Sequence, residues 1–265
     1  MVIIASKIHK LDTARTSILL ICLVGFVWAL MELITQVVAV NYSLYEVIWM
    51  RYATHLLFLL VVFAPRLGLR LLATRRLGLQ ILRGLMMLVM PVSFILAAPY
   101  MNTANILAIF WLAPFIIIGL SVVWLKERVP WYSWVLALVG YTCILIMVHP
   151  NRALSLPGIL LALAMGLSLS LYIVMTRVLR EETTVTNLFY TAASVLVPLS
   201  ARLPAVWKPL TLSGGLLMTA IGLLGFALLW MLDKAAEMER PSLVAPFLFS
   251  EMFFIIVIKL LGRIF

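Results

Sequence analysis

The chain has 265 residues, 65% of them hydrophobic and 11% charged, and its mean hydropathy is +1.16. That excludes a water-soluble globular domain, which needs more polar surface, and points to a bilayer, whose core ~20 apolar residues cross as a helix. The net charge of +10 does not point to nucleic acid. The basic residues flank apolar segments, as orientation signals do, and no basic stretch is interleaved with stacking aromatics.

Residues 1–16 read as a cytoplasmic N-terminal segment with Lys7, Lys10 and Arg15. The apolar run that follows is too long for a signal peptide and ends in no A-x-A site. The first span is expected at 17–39, with Cys22, Trp28 and Glu32 inside it. The second, 45–63, carries Arg51 and His55, with Glu46 near its outer end and solvated there. The third, 82–98, contains Pro91, and the fourth, 104–125, contains Asn105, Trp111 and Pro114. The fifth and sixth fall at 133–148 and 158–178, the seventh, with Pro198, at 187–200. The eighth is 214–232, and the ninth, 244–261, holds Pro246 and Glu251. Pro91, Pro114, Pro198 and Pro246 each remove a backbone donor and are expected helix kinks. Cys22 and Cys143 read as small buried hydrophobes; one isolated pair gives neither a disulfide framework nor a metal site.

Lys and Arg set the orientation. Fourteen fall on the N-terminal side, Arg83 counted among them; five fall on the opposite side, and Arg51 is left inside a span. The bias puts the N-terminus in the cytoplasm of a multi-pass protein of the inner, or plasma, membrane. Trp124, Trp131, Trp134 and Trp230 belong to the inner interface, and Trp207 to the outer one.

Several stretches carry a resemblance when taken together. Arg83-Gly84-Leu85 opens a helix, and Asn105 to Phe115 forms an apolar helix with a central proline. Leu125-Lys126-Glu127-Arg128-Val129 follows as a charged turn, before Trp134 and a helix with Gly140 that ends at His149-Pro150. The second half adds Pro157 to Ala164 and Ala245 to Glu251. In order and spacing these resemble the drug/metabolite transporter superfamily, of the EamA type. Arg51 also stands where that family carries an arginine. The resemblance implies ten helices in two five-helix repeats of opposite membrane orientation. The chain is therefore expected to be an all-α polytopic membrane protein of about nine helices. Residues 17–150 form the first repeat, with five helices, and 151–265 the second, with four, lacking the family's tenth helix. An odd repeat length forces inversion, a known route to alternating access.

Charged side chains inside a bilayer mark function or pairing. Glu32 and Arg51 both sit ~10 Å below the outer surface at 1.5 Å per residue, and are expected to pair with each other or to gate. Trp28 is one turn from Glu32 on the same face, and His55 one turn from Arg51. These four could line one cavity, although a packed stripe is the simpler account of Trp28 and a hydrogen-bonded core histidine of His55. Glu251, approaching mid-membrane, is the candidate for proton coupling or for binding a substrate amine, against the plainer reading of a hydrogen-bonded glutamic acid. Trp111 and Asn105 complete the set, Asn105 as a substrate donor or a helix cap.

No P-loop, H-E-x-x-H or nucleophile elbow occurs, and no cofactor, metal or enzymatic activity is expected. The expected function is secondary transport of a small metabolite, amino-acid-, nucleoside- or vitamin-like, with protons as the candidate coupling ion and a homodimer as a permitted assembly. The alternative is a truncated, inactive or accessory membrane protein.

Overall fold

The computed structural model describes the backbone of residues 2–261 and the side chains of 12–261. Lys7, Lys10 and Arg263 lie outside the described side chains. Among the described residues every regular element is helical: α1 (Val2–Val38), α2 (Leu44–Leu67), α3 (Leu77–Ala97), α4 (Thr103–Phe110), α5 (Ala113–Val123), α6 (Trp131–Val148), α7 (Leu156–Val178), α8 (Thr184–Ser200), α9 (Leu212–Met238), α10 (Pro241–Val244) and α11 (Ser250–Leu261).

Eight segments are long and apolar enough to cross a membrane, with α4–α5 counted as one (Thr103–Val123) and α10–α11 as another (Pro241–Leu261). The ninth rod is α8, of 17 residues. It nevertheless reaches both ends of the bundle. Near its start Asn187 accepts a 2.6 Å hydrogen bond from Gln80, in the first turn of α3. At its end Ser200 accepts one of 2.9 Å from Trp49, near the start of α2. The rods thus alternate in direction. We call the end where α1 begins the N-side and the other the far side.

Short polar caps start the helices between the apolar runs. Asn102, Ser155, Thr183 and Thr211 each accept a hydrogen bond from the backbone N–H three residues on, satisfying a donor that the first turn leaves free. His149 ends α6 in the left-handed region, at φ 49°.

Two rods are broken near mid-length, and proline is the cause of the first break. Pro114 has no N–H to offer the carbonyl of Phe110 four residues back, so the helix stops at Trp111–Leu112 and restarts as α5. Gly166 on α7 lies against that freed carbonyl: a Cβ there would stand 2.9 Å from the Phe110 oxygen. One turn on, Ser170 donates to the Ala113 carbonyl at 3.1 Å and to that of Gly166 at 2.7 Å. Pro114 therefore starts a helix rather than bending one. Pro246 lies in a 3₁₀ stretch, Ala245–Phe249, that joins α10 to α11. Pro91 is inside α3 and Pro198 in the last turn of α8. Pro65, in the last turn of α2, was absent from the expected kinks.

The core runs the length of the bundle. α1 packs on α9 and α11, α3 on α7 and α8, α2 on α8 and α9, and α4–α5 on α7. Cys143 is exposed on the outer face of α6, not buried as expected, and Cys22 is half-buried.

Candidate functional site

A cavity of about 510 Å³ opens between α1, α2, α3, α4, α6, α7, α9 and α11, within the ~300–1,000 Å³ typical of small-molecule sites. Its lining residues nearest the N-side are Trp28 on α1, Arg51 on α2, Met90 on α3, Trp111 just past the end of α4, Met165 on α7 and Glu251 on α11. All other lining positions on those helices lie toward the far side, so the cavity is a well with its mouth on the far side and its floor near mid-bundle.

The floor is aromatic. The ring centroids of Phe110 and Trp111 each stand 6.5 Å from that of Trp28, and Phe249 is 5.5 Å from Trp111. Trp111 is fully buried and its indole Nε1–H has no partner. A buried indole donor normally finds one, so this N–H is available to a ligand.

The walls carry charge. Glu251 enters where α1 and α11 pack closely: a Cβ on Gly25 would stand 2.7 Å from the Glu251 backbone nitrogen. Gly25, Trp28 and Glu32 follow i, i+3, i+7 spacing, which puts them on one face of α1. Glu251 is 4% exposed, and its Oε2 has no hydrogen-bond partner. Glu32 accepts only a long hydrogen bond from Gln36, 3.4 Å. Opposite them, the Arg51 side chain lies across Gly225 of α9, where a Cβ would meet its Nε at 2.6 Å. Its Nε is buried without a partner, and its guanidinium is 5.3 Å from the Tyr52 ring centroid. Lys259 joins the lining toward the mouth. Among the described residues, none of Glu32, Arg51, Glu251 and Lys259 is in an ion pair. The expected Glu32–Arg51 pair is therefore absent; the two residues line the same cavity as separate, uncompensated charges.

Three other expectations need correction. His55 does not line the cavity. It is fully buried between Tyr52 and Phe226, 6.1 and 5.1 Å between ring centroids, with neither ring nitrogen partnered, because its turn of α2 faces α9. Asn105 is equally unavailable. Its Nδ2 donates to Asn151 Oδ1 and the Ala153 carbonyl, both at 2.9 Å, and its Oδ1 accepts from the Asn151 N–H. It fastens the loop after α6 to the start of α4. Glu46 is fully buried rather than solvated, accepting from the Lys208 backbone N–H at 3.3 Å.

A second polar cluster lies N-side of the floor. Arg83, counted as a loop charge from the sequence, is fully buried in α3 and ion-paired with Asp233 of α9, also fully buried. Arg83 also donates to Thr176 Oγ1 (2.7 Å), Tyr172 OH (2.7 Å), Thr191 Oγ1 (3.0 Å) and the Asn187 carbonyl (3.1 Å). Tyr172 in turn donates to Asp233 Oδ1 at 2.8 Å. The signal was present in the sequence: a lone aspartate abutting an apolar run, and an arginine within one, each need a partner in a membrane.

A crevice of about 650 Å³ at the far-side rim, between the end of α1 and the start of α9, offers no comparable chemistry. Its Lys208 Nζ already donates to the Asn41 carbonyl at 2.9 Å, and Tyr42 and Thr211 hydrogen-bond each other at 3.1 Å.

Against known proteins, the sequence profile of the EamA-like transporter family matches residues 15–149. A curated S-adenosylmethionine uptake transporter of Rickettsia bellii (strain RML369-C) is 26% identical over 73% of this chain and 67% of its own. A protein of the same description from Rickettsia prowazekii (strain Madrid E) is 25% identical over 86% of this chain and 80% of its own. A solved crystal structure superposes with a TM-score of 0.77 at 19% identity, covering 96% of this chain and 89% of that one; it shares the fold.

Proposed function

The chain belongs to the EamA-like transporter family, and we propose that it is a secondary transporter of a zwitterionic metabolite that also carries an aromatic group, with S-adenosylmethionine as the leading substrate. Membrane embedding and small-metabolite transport are what the family and the similar proteins have in common with this chain's apolar bundle. The observation that carries the finer reading is the cavity's set of unpaired opposite charges above an aromatic floor. An isolated charge in a bilayer costs at least ~2.5–3.5 kcal/mol on insertion scales, so Arg51 and the carboxyls of Glu32 and Glu251, none of them in an ion pair among the described residues, favour a ligand that answers both signs. Arg51 would take the substrate carboxylate. Glu32 and Glu251 would face its positive centres, which in S-adenosylmethionine are an ammonium and a sulfonium. Trp28 and Trp111 would supply flat faces for the adenine.

In this reading residues 17–150 and 151–265 act as inverted repeats that expose the cavity to alternate sides. The N-side is cytoplasmic in the inner membrane, and Glu251 is the proton-coupling candidate. The test is uptake of radiolabelled S-adenosylmethionine by proteoliposomes of the purified protein. Saturable uptake, competed by the unlabelled compound, is expected, together with a melting-temperature rise. A ligand at 100 times its Kd adds about 2.7 kcal/mol to the folded state. A sharp melt with neither shift nor uptake would overturn the substrate assignment.

A further inference from the structure

On two of the helices that line the cavity, the N-side polar cluster continues the same helix face. Arg83 is seven residues before the lining residue Met90 on α3, and Tyr172 seven after Met165 on α7. Seven residues are two turns, so each polar side chain lies ~10 Å below its lining partner on the same face. Asp233 closes the cluster from α9, whose lining residue is Ile221. A substrate leaving the cavity for the N-side between α3, α7 and α9 must therefore pass between Arg83 and Asp233. A buried ion pair is an unreliable source of stability, because desolvation offsets much of its attraction. A well-packed apolar seam would seal this place at least as well.

From this placement we propose that the Arg83–Asp233 pair is a second substrate station: when the N-side opens, the zwitterion's carboxylate takes over Arg83 and its cationic centre takes over Asp233. The proposal rests on the zwitterion reading above. The pair seals the empty transporter, and the substrate's own two charges replace the contacts that opening breaks. Neither Arg83 nor Asp233 is then left uncompensated at any step. A molecule of the same shape lacking those charges cannot make the exchange. The station thus sets specificity a second time, after the cavity has done so.

The test compares S-adenosylmethionine with 5′-methylthioadenosine, a neutral thioether that keeps the adenosyl group and lacks the carboxylate, the ammonium and the sulfonium charge. The double variant Arg83→Gln/Asp233→Asn keeps side chains of similar size and removes both buried charges together. In proteoliposomes its ratio of S-adenosylmethionine to thioether uptake is expected to fall at least about tenfold, while the melting shift given by S-adenosylmethionine persists. An unchanged ratio, including one in which both rates fall together as a purely structural role would give, overturns the station. Absence of a melting shift and of uptake in the unmodified protein would instead overturn the zwitterion reading. Should the double variant fail to fold, Thr191→Cys in a Cys22→Ala/Cys143→Ala background decides the matter. Thr191 is fully buried beside Arg83, so its replacement is expected to react with an impermeant thiol reagent from the N-side only while S-adenosylmethionine is present. Failure of S-adenosylmethionine to raise its labelling above that seen with the thioether overturns the proposal.

Discussion

Two glutamates, two tryptophans and an arginine account for most of what the cavity can do, and they are not equivalent. Glu251 is nearly buried and keeps an oxygen free, whereas Glu32 is half-buried and already touches Gln36. We therefore expect Glu251→Gln to lower S-adenosylmethionine uptake by at least about tenfold and to abolish its dependence on an imposed proton gradient, with expression unchanged. Uptake that still follows the gradient would remove Glu251 from coupling. Asn105 gives the opposite contrast. Its amide is fully used in holding a loop, so Asn105→Ala should destabilise by about 1–3 kcal/mol, read as a lower melting temperature. Its Kd for S-adenosylmethionine should stay within about threefold; a larger loss would return Asn105 to the binding site. From the sequence, His55 looked like a site residue because one turn on a helix puts it on the face of Arg51, and Asn105 because an amide near a helix start can either donate to a substrate or cap the helix. Which face meets the cavity depends on packing angles that no local spacing encodes. Arg83 was misplaced for the same reason, since a charge at a predicted helix boundary reads as solvated until its partner 150 residues away is known.

At the scale of elements, hydropathy located all nine rods, because a bilayer demands continuous apolar runs, but not all their ends: α1 begins at Val2 rather than near 17, α3 at Leu77 rather than 82, and α9 runs on to Met238 rather than 232. It did not show that the fourth rod is two helices. That break depends on Pro114 and also on Gly166 of a different helix, which leaves room for the Phe110 carbonyl. Gly166→Ala would drive a methyl group onto a backbone oxygen that cannot rotate away. The expected loss is about 1–3 kcal/mol of stability, with α7 and the α4–α5 break moving apart. Thermal denaturation in detergent measures it, and an unchanged melting temperature would mean that the contact yields freely.

For the molecule as a whole, the parity of crossings is the open topological quantity. Eight segments satisfy length and hydropathy, and α8 adds a ninth rod that reaches both ends of the bundle. Nine crossings put the start of α1 and the end of α11 on opposite sides. Reporter fusions at the two positions should therefore give opposite readings, the N-terminal one cytoplasmic. Readings from the same side would mean that α8 does not cross.

The well has one mouth, and that makes blockade directional. An adenosyl compound tethered to a bulky, impermeant group can fill the cavity from the far side but finds no entrance from the N-side, where the Arg83–Asp233 cluster is closed. Applied outside vesicles into which the protein has inserted both ways round, such a plug would, in this conformation, label only the copies whose far side faces outward, and the fraction left unlabelled would count the oppositely inserted copies directly.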